Sequence, residues 1–221
     1  MEGRAGLLGP GEEERFQTIL EHECRRAGDL ILEGLRGPAQ DESADPRTSA
    51  RIRVRTRPME TVRQTVSAEL PLFEAAGIDL ILTVDLSRPL PPVALSNGEL
   101  SRILHNLLTN AREALLIQSG AFGESGALGA EREPTVVVHL SAHRHRTGDR
   151  VHLRVQDNGP GVPAEHLEHV FDGGFSLGKP QGLGLGLAVV HDRVTGAGGR
   201  ITCLPRDAGG VRFEITLPAL P

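Results

Sequence analysis

The chain has 221 residues, a formal net charge of −5, 38% hydrophobic and 24% charged residues, a balance that permits a folded globular core. No apolar run approaches the roughly 18 residues that suggest a membrane span. The opening Met1-Glu2-Gly3-Arg4 lacks a secretory pattern, and the acidic balance argues against a general nucleic-acid binder. Residues 1–11 are Gly-rich and read as a flexible N-terminus. Residues 12–37 read as one long helix, with Phe16, Ile19, Leu20, Cys24, Ala27, Leu30, Ile31 and Leu35 at three- and four-residue steps. Gly37-Pro38 ends it, and residues 38–50 have linker composition.

Residues 51–218 read as an α/β domain. Arg51–Thr56 alternates arginine with apolar residues and predicts a strand. Glu60–Ala76 predicts a helix, interrupted or shifted by Pro71, and Ile78–Asp85 a second strand. Ser96 or Asn97 can cap a helix running to about Gln118. Residues 119–133 hold four glycines and predict a surface excursion. Thr135–Ala142 and Val151–Gln156 predict two strands joined through Gly148-Asp149, followed by a short helix at Ala164–Val170. A Gly-rich loop spans residues 171–184. A helix from about Leu185 to Thr195 and a strand pair, Arg200–Leu204 with Val211–Leu217, complete the pattern. The expected fold class is α+β: a two-layer sandwich of a mixed sheet with helices on one face, preceded by the long N-terminal helix. Cys24 and Cys203 make no disulfide framework and fit a reducing, cytoplasmic setting.

Three constellations carry chemistry. Asn106 and Asn110 stand four apart and share one face of their helix. An amide there is either solvent-facing or a ligand for Mg²⁺ and phosphate, since its oxygen coordinates and its nitrogen donates. Asp157-Asn158-Gly159-Pro160-Gly161 directly follows a strand. It is an ordinary turn, or a strand-end carboxylate placed to accept a hydrogen bond from an exocyclic amine such as that of adenine. Gly182-Leu183-Gly184-Leu185-Gly186-Leu187 opens a helix. Its backbone N–H groups and the helix dipole suit phosphate. Lys179, the single lysine among 24 basic residues, lies just upstream.

Together and in this order, these motifs resemble the ATP-binding domain of the GHKL superfamily, and most closely the catalytic domains of sensor histidine kinases of the nitrogen-regulation type. Asn106–Ala114 resembles the N box, Asp157–Gly161 the G1 box, Val170–Ser176 the F box and Gly182–Leu187 the G2 box. The resemblance implies ATP and Mg²⁺ as ligands and assigns roles. Asp157 would bind the adenine amine, with Gly159 and Gly161 bordering the base. Asn110 would hold Mg²⁺, with Asn106 as a phosphate or metal contact. Phe171 and Phe175 would anchor a mobile lid. Gly182, Gly184 and Gly186 would cradle the phosphates, and Lys179 would be a lid cation near the β- and γ-phosphates. Gyrase-type and chaperone ATPases resemble this fold but carry a water-activating glutamate where this chain has Asn106, so the resemblance points to a kinase rather than a hydrolase.

The N-terminal helix contains His22-Glu23-Cys24-Arg25, which superficially resembles a phosphoacceptor box, making His22 a possible acceptor. No second dimerisation helix follows it. Residues 12–37 are more similar to the second helix of a dimerisation hairpin, so a homodimer through this helix is expected, and this chain alone is expected to autophosphorylate weakly or not at all. The implied reaction, in a two-component phosphorelay, moves the γ-phosphoryl of ATP to a histidine and onward to an aspartate of a response-regulator receiver domain. The alternative is a nucleotide-binding regulatory module, anti-sigma-like or catalytically incomplete, that sequesters a protein partner. Arg51, Arg53, Arg55 and Arg57 fall on one strand face, either a solvated edge or a dock for an acidic partner. His139, His143 and His145 also share a strand face, but no cysteine or close carboxylate completes a metal set.

Overall fold

The computed structural model describes residues 55–118, 133–146, 148–175 and 184–220. The N-terminal helix with His22, the linker, most of the 119–133 excursion, and Lys179 and Gly182 lie outside these residues. All described residues belong to one compact unit, Arg53–Pro221.

In chain order the elements are α1 (Pro58–Ala75), β1 (Asp79–Val84), α2 (Asn97–Gln118), β2 (Thr135–His145), β3 (Gly148–Asp157), a single 3₁₀ turn (Ala164–His166), α3 (Gly186–Gly196), β4 (Arg200–Pro205) and β5 (Val211–Pro218). The strands form one mixed sheet in the order β1-β2-β3-β5-β4. β1 pairs parallel with β2, and the other pairs are antiparallel. The register stacks one face with apolar side chains: Leu82 beside Val138, Val138 beside Val155, Val155 beside Phe213, and Phe213 beside Cys203. That face meets Leu104, Leu107, Leu108 and Leu115 of α2, Val62 and Phe73 of α1, and Val190 and Val194 of α3 in one buried core. The two-layer α+β sandwich expected from the sequence is thus the observed fold.

The other sheet face carries the polar half of each alternation. His139 Nδ1 lies 2.9 Å from Thr83 Oγ1, and His143 meets His152 edge-on at 4.7 Å between ring centroids. Among the described residues no group of three or more His, Cys, Asp or Glu could hold a metal ion.

Four local expectations change. Thr56 forms only an isolated bridge with Val93, and Arg55 and Arg57 are exposed, so no sheet strand forms at the described end of the Arg51–Thr56 stretch. α1 starts earlier, at Pro58, and runs unbroken through Pro71. Proline presets the first-turn φ, and at Pro71 both the ring and Ser67, whose carbonyl loses its partner, face solvent. The expected helix at Ala164–Val170 shortens to one 3₁₀ turn, Ala164–His166, that buries none of its residues, a single turn being too short to sustain a helix without packing. The β2–β3 ladder extends to His145 opposite Gly148, so Gly148 and Asp149 belong to β3 rather than to the turn.

Candidate functional site

α2 is set by two devices. At its start, Ser96 and Glu99 form a capping box. Ser96 Oγ accepts from the Glu99 N–H at 3.1 Å, and Glu99 Oε2 accepts from the Ser96 N–H at 2.7 Å. Along its length a polar ladder fixes it against α1. Asn97 Oδ1 accepts from Thr61 Oγ1 at 3.3 Å, Thr65 Oγ1 bonds Ser101 Oγ at 3.0 Å, and His105 Nδ1 lies 2.5 Å from Glu69 Oε1. Each pair is separated by 36 residues, so the helices run parallel in one fixed register. This register sets the rotation of the face bearing Asn106 and Asn110. Asn106 is buried, its Nδ2 donating to the Arg102 carbonyl at 3.1 Å, while Asn110 is half-buried.

The C-terminal half of α2 meets the loop after β3. A Cβ added to Gly159 would lie 3.5 Å from Leu115 and 3.7 Å from Ala114. Asn110 stands one turn back from Ala114 and Asn106 another, about 6 and 12 Å along the axis. The two amides and Ala114 thus share the helix face that Gly159 approaches.

Asp157 is the central polar group. The inward positions of β3 are Val151, Leu153, Val155 and then Asp157, which faces Val136 and is 4% exposed. Its Oδ1 accepts from the Gly159 N–H at 2.9 Å and the Val211 N–H at 3.4 Å. Burial raises its pKa above the ordinary carboxylate value, against the pull of these N–H groups and of Arg206. Asn158 ties the loop to β2: its Oδ1 accepts from the Thr135 N–H at 2.8 Å, and its Nδ2 donates to the Glu133 carbonyl at 2.8 Å. Cys203, opposite Phe213, has its thiol pushed up to about 12, first by burial and then by Asp157, so it is an inert neighbour.

Phe171 packs against Phe213 and His191, with centroids at 6.3 and 5.6 Å, and Phe175 lies 5.5 Å from the His166 ring. Gly174 N–H donates to the Gly184 carbonyl at 3.2 Å. Gly184 has φ +63°, and a Cβ there would stand 2.4 Å from the Gly174 carbonyl carbon, so only glycine closes this contact. Two ends of the Gly-rich segment are thereby pinned together. Gly186 is the first residue of α3, whose N-cap, Leu185, supplies no side-chain bond to the first-turn N–H groups.

Asn106, Asn110, Asp157, Gly159 and Gly161 thus gather along α2 and the end of β3, while Phe171, Phe175, Gly184 and Gly186 surround the start of α3. The sequence reading missed Arg206, which donates Nη1 to the Asp157 carbonyl, and Gly210 beneath that carbonyl. Asp207–Gly210 reads only as a turn until the β4–β5 register places it beside β3. Glu69 was missed too; its position on the apolar stripe of α1 was the available signal.

Residues 96–221 match the family described as "Histidine kinase-, DNA gyrase B-, and HSP90-like ATPase". The chain belongs to this family. Among curated relatives it is 36% identical over 130 residues to the sensory histidine kinase/phosphatase NtrB of Rhizobium meliloti (strain 1021), covering 59% of this chain and 33% of that protein. It is 31% identical over 162 residues to the sensor protein KdpD of Escherichia coli (strain K12), covering 72% of this chain and 16% of that one. The chain therefore spans a third or less of these relatives. Among solved structures, full-length ShkA in complex with AMPPNP superposes with a TM-score of 0.56 at 26% identity, over 75% of this chain and 31% of ShkA. The mycobacterial sensor histidine kinase MprB, at 23% identity and TM-score 0.56 over 77% of this chain and 99% of that one, shares the fold.

Proposed function

We propose that this chain is the ATP-binding catalytic region of a two-component sensor histidine kinase, acting in the cytoplasm. The observation that carries the reading is Asp157: a carboxylate at an inward strand position, its Oδ1 taken by two backbone N–H groups, beside a helix face bearing two amides. Its other oxygen accepts the exocyclic amine of adenine. Gly159 and Gly161 let the backbone border the ring. Asn106 and Asn110 lie along the path to the phosphates, which meet the first turn of α3 and the Gly182, Gly184 and Gly186 backbone. Phe171 and Phe175 anchor the segment that carries Lys179. AMPPNP in the ShkA structure supports the same ligand class.

Mg²⁺ fits this donor set. It takes few protein oxygens and completes its shell with phosphate and water, and Asn110 offers one amide oxygen. When bound, the ion neutralises charge on the β- and γ-phosphates. The chain's own residues bind and orient the nucleotide so that a histidine ring nitrogen attacks the γ-phosphorus while the bond to the β,γ-bridging oxygen breaks and ADP leaves. A receiver aspartate then takes the phosphoryl group from the phosphohistidine. Asn106 holds no titratable proton, so at that position nothing activates water. We further propose that residues 12–37 supply a dimerisation helix, residues 38–50 a linker and residues 51–218 the catalytic domain. His22 remains a candidate acceptor.

Incubation with γ-labelled ATP, comparing the natural chain with Asn110→Ala and His22→Ala, tests the reading. Acid-labile label lost in Asn110→Ala supports it, and retention in His22→Ala places the acceptor elsewhere. An Asn110→Ala protein that binds and transfers normally overturns the metal assignment, and failure of the natural chain to bind ATP in a calorimetric titration overturns the whole reading.

A further inference from the structure

The ladder between β3 and β5 ends at Gln156 opposite Arg212, so Asp157 lies one residue beyond the last β5 rung. The β4–β5 turn reaches back over this position. Within the turn, the Arg206 N–H donates to the Gly210 carbonyl at 3.3 Å and the Gly209 N–H to the Arg206 carbonyl at 3.0 Å, closing a tight loop. Gly210, at φ +86°, sits so close beneath Asp157 that an added Cβ would fall 2.1 Å from the Asp157 carbonyl oxygen. The next residue, Val211, gives its N–H to Asp157 Oδ1, and the half-buried Arg206 donates Nη1 to the Asp157 carbonyl. One turn thus grips Asp157 at both its backbone and its side chain.

We infer that Arg206 is a positioning residue for the nucleotide base: it fixes the Asp157 backbone and so aims the carboxylate oxygen that Gly159 and Val211 leave for the ligand. This rests on the adenine-nucleotide reading above and adds the residue that sets base affinity. Arg206 acts through Asp157 and does not itself touch the base. Its charge also has an electrostatic consequence. Among the described residues, Asp157 faces the Arg206 guanidinium and the neutral Cys203 thiol, and of these only Arg206 favours the ionised carboxylate against burial. An arginine suits the task because its planar fork can donate to a carbonyl while its charge stays fixed.

The test is calorimetric titration of the full chain with ATP and Mg²⁺ across pH 5–8, for the natural protein, Arg206→Ala and Arg206→Lys. Arg206→Ala is expected to weaken binding about tenfold, the scale of one charge-assisted hydrogen bond. The loss should grow as pH falls, because without the guanidinium Asp157 takes up its proton at higher pH. Arg206→Lys keeps a donor and a charge and should recover most of the affinity. Natural affinity in Arg206→Ala overturns the proposal. So does an equal loss at every pH with no recovery in Arg206→Lys, which is the mark of a purely structural turn. If the natural chain binds no ATP, the nucleotide reading itself falls, an outcome distinct from either.

Discussion

At Asp157 the chain places a carboxylate where the alternation of β3 calls for an apolar side chain, and burial raises its pKa despite two N–H donors and a nearby guanidinium. The sign of the stability effect follows from linkage. The folded state holds this proton more tightly than the unfolded chain, whose value is 3.8. Below that value both states are protonated and Asp157 costs nothing. As pH rises through the folded pKa, stability is lost and stays lost at neutral pH. Asp157→Asn is therefore expected to raise the melting temperature of the ligand-free protein by a few degrees at pH 7, with the gain disappearing below 3.8. The same substitution should weaken ATP binding by about 10- to 100-fold. Thermal melts across pH, paired with titrations, check both, and a destabilised Asp157→Asn protein at pH 7 would show that the carboxylate is structural. The sequence made Asp157 legible because a polar residue broke a strand at a glycine-rich turn. Arg206 was not legible, because its role depends on a register that joins residues 49 apart.

Between α1 and α2, specificity comes from polar pairs set among apolar neighbours. The ladder ends at Glu69 and His105, and its members are unequal. Glu69 is 7% exposed and its Oε2 is buried without a hydrogen-bond partner, while the His105 side chain is 35% exposed. Removing the histidine takes the partner from a buried polar group, whereas removing the glutamate leaves an imidazole that water can reach. His105→Leu should cost about 1–3 kcal/mol, Glu69→Leu about 1 kcal/mol or less, and the double Leu variant should be the most stable of the three. Chemical denaturation of the four proteins checks the order; equal losses in both single variants would mean the pair acts only as packing volume. Because the pair neighbours Asn106, the double variant also asks whether register alone keeps the candidate site aligned. The element pattern itself was largely readable: α2, α3 and all five strands lie where the sequence pattern put them. One misreading has a clear physical cause: at Pro71 the broken backbone bond falls on solvent.

Across the whole described unit, the candidate site draws on α2, the end of β3, the β4–β5 turn and the start of α3, elements far apart in sequence that share one core. A ligand spanning them stabilises the folded state without binding the unfolded chain, so its effect grows with concentration as RT ln(1 + [L]/Kd). At 100 times its Kd, ATP with Mg²⁺ should add about 2.7 kcal/mol, or roughly 5–10 °C for a chain of this size. Three comparisons divide the shift among the parts of the site. Asp157→Asn should lose most of it, because the base end of the ligand goes unrecognised. Asn110→Ala should retain a smaller shift that no longer responds to Mg²⁺, because base recognition survives while the metal contact is gone. GTP, which presents a carbonyl where ATP presents an amine, should give little shift, since a carboxylate and a carbonyl both accept and neither donates. An equal shift from GTP and ATP would mean that Asp157 does not read the base, and the affinity would then have to come from the phosphate end, at α3 and the Gly-rich segment.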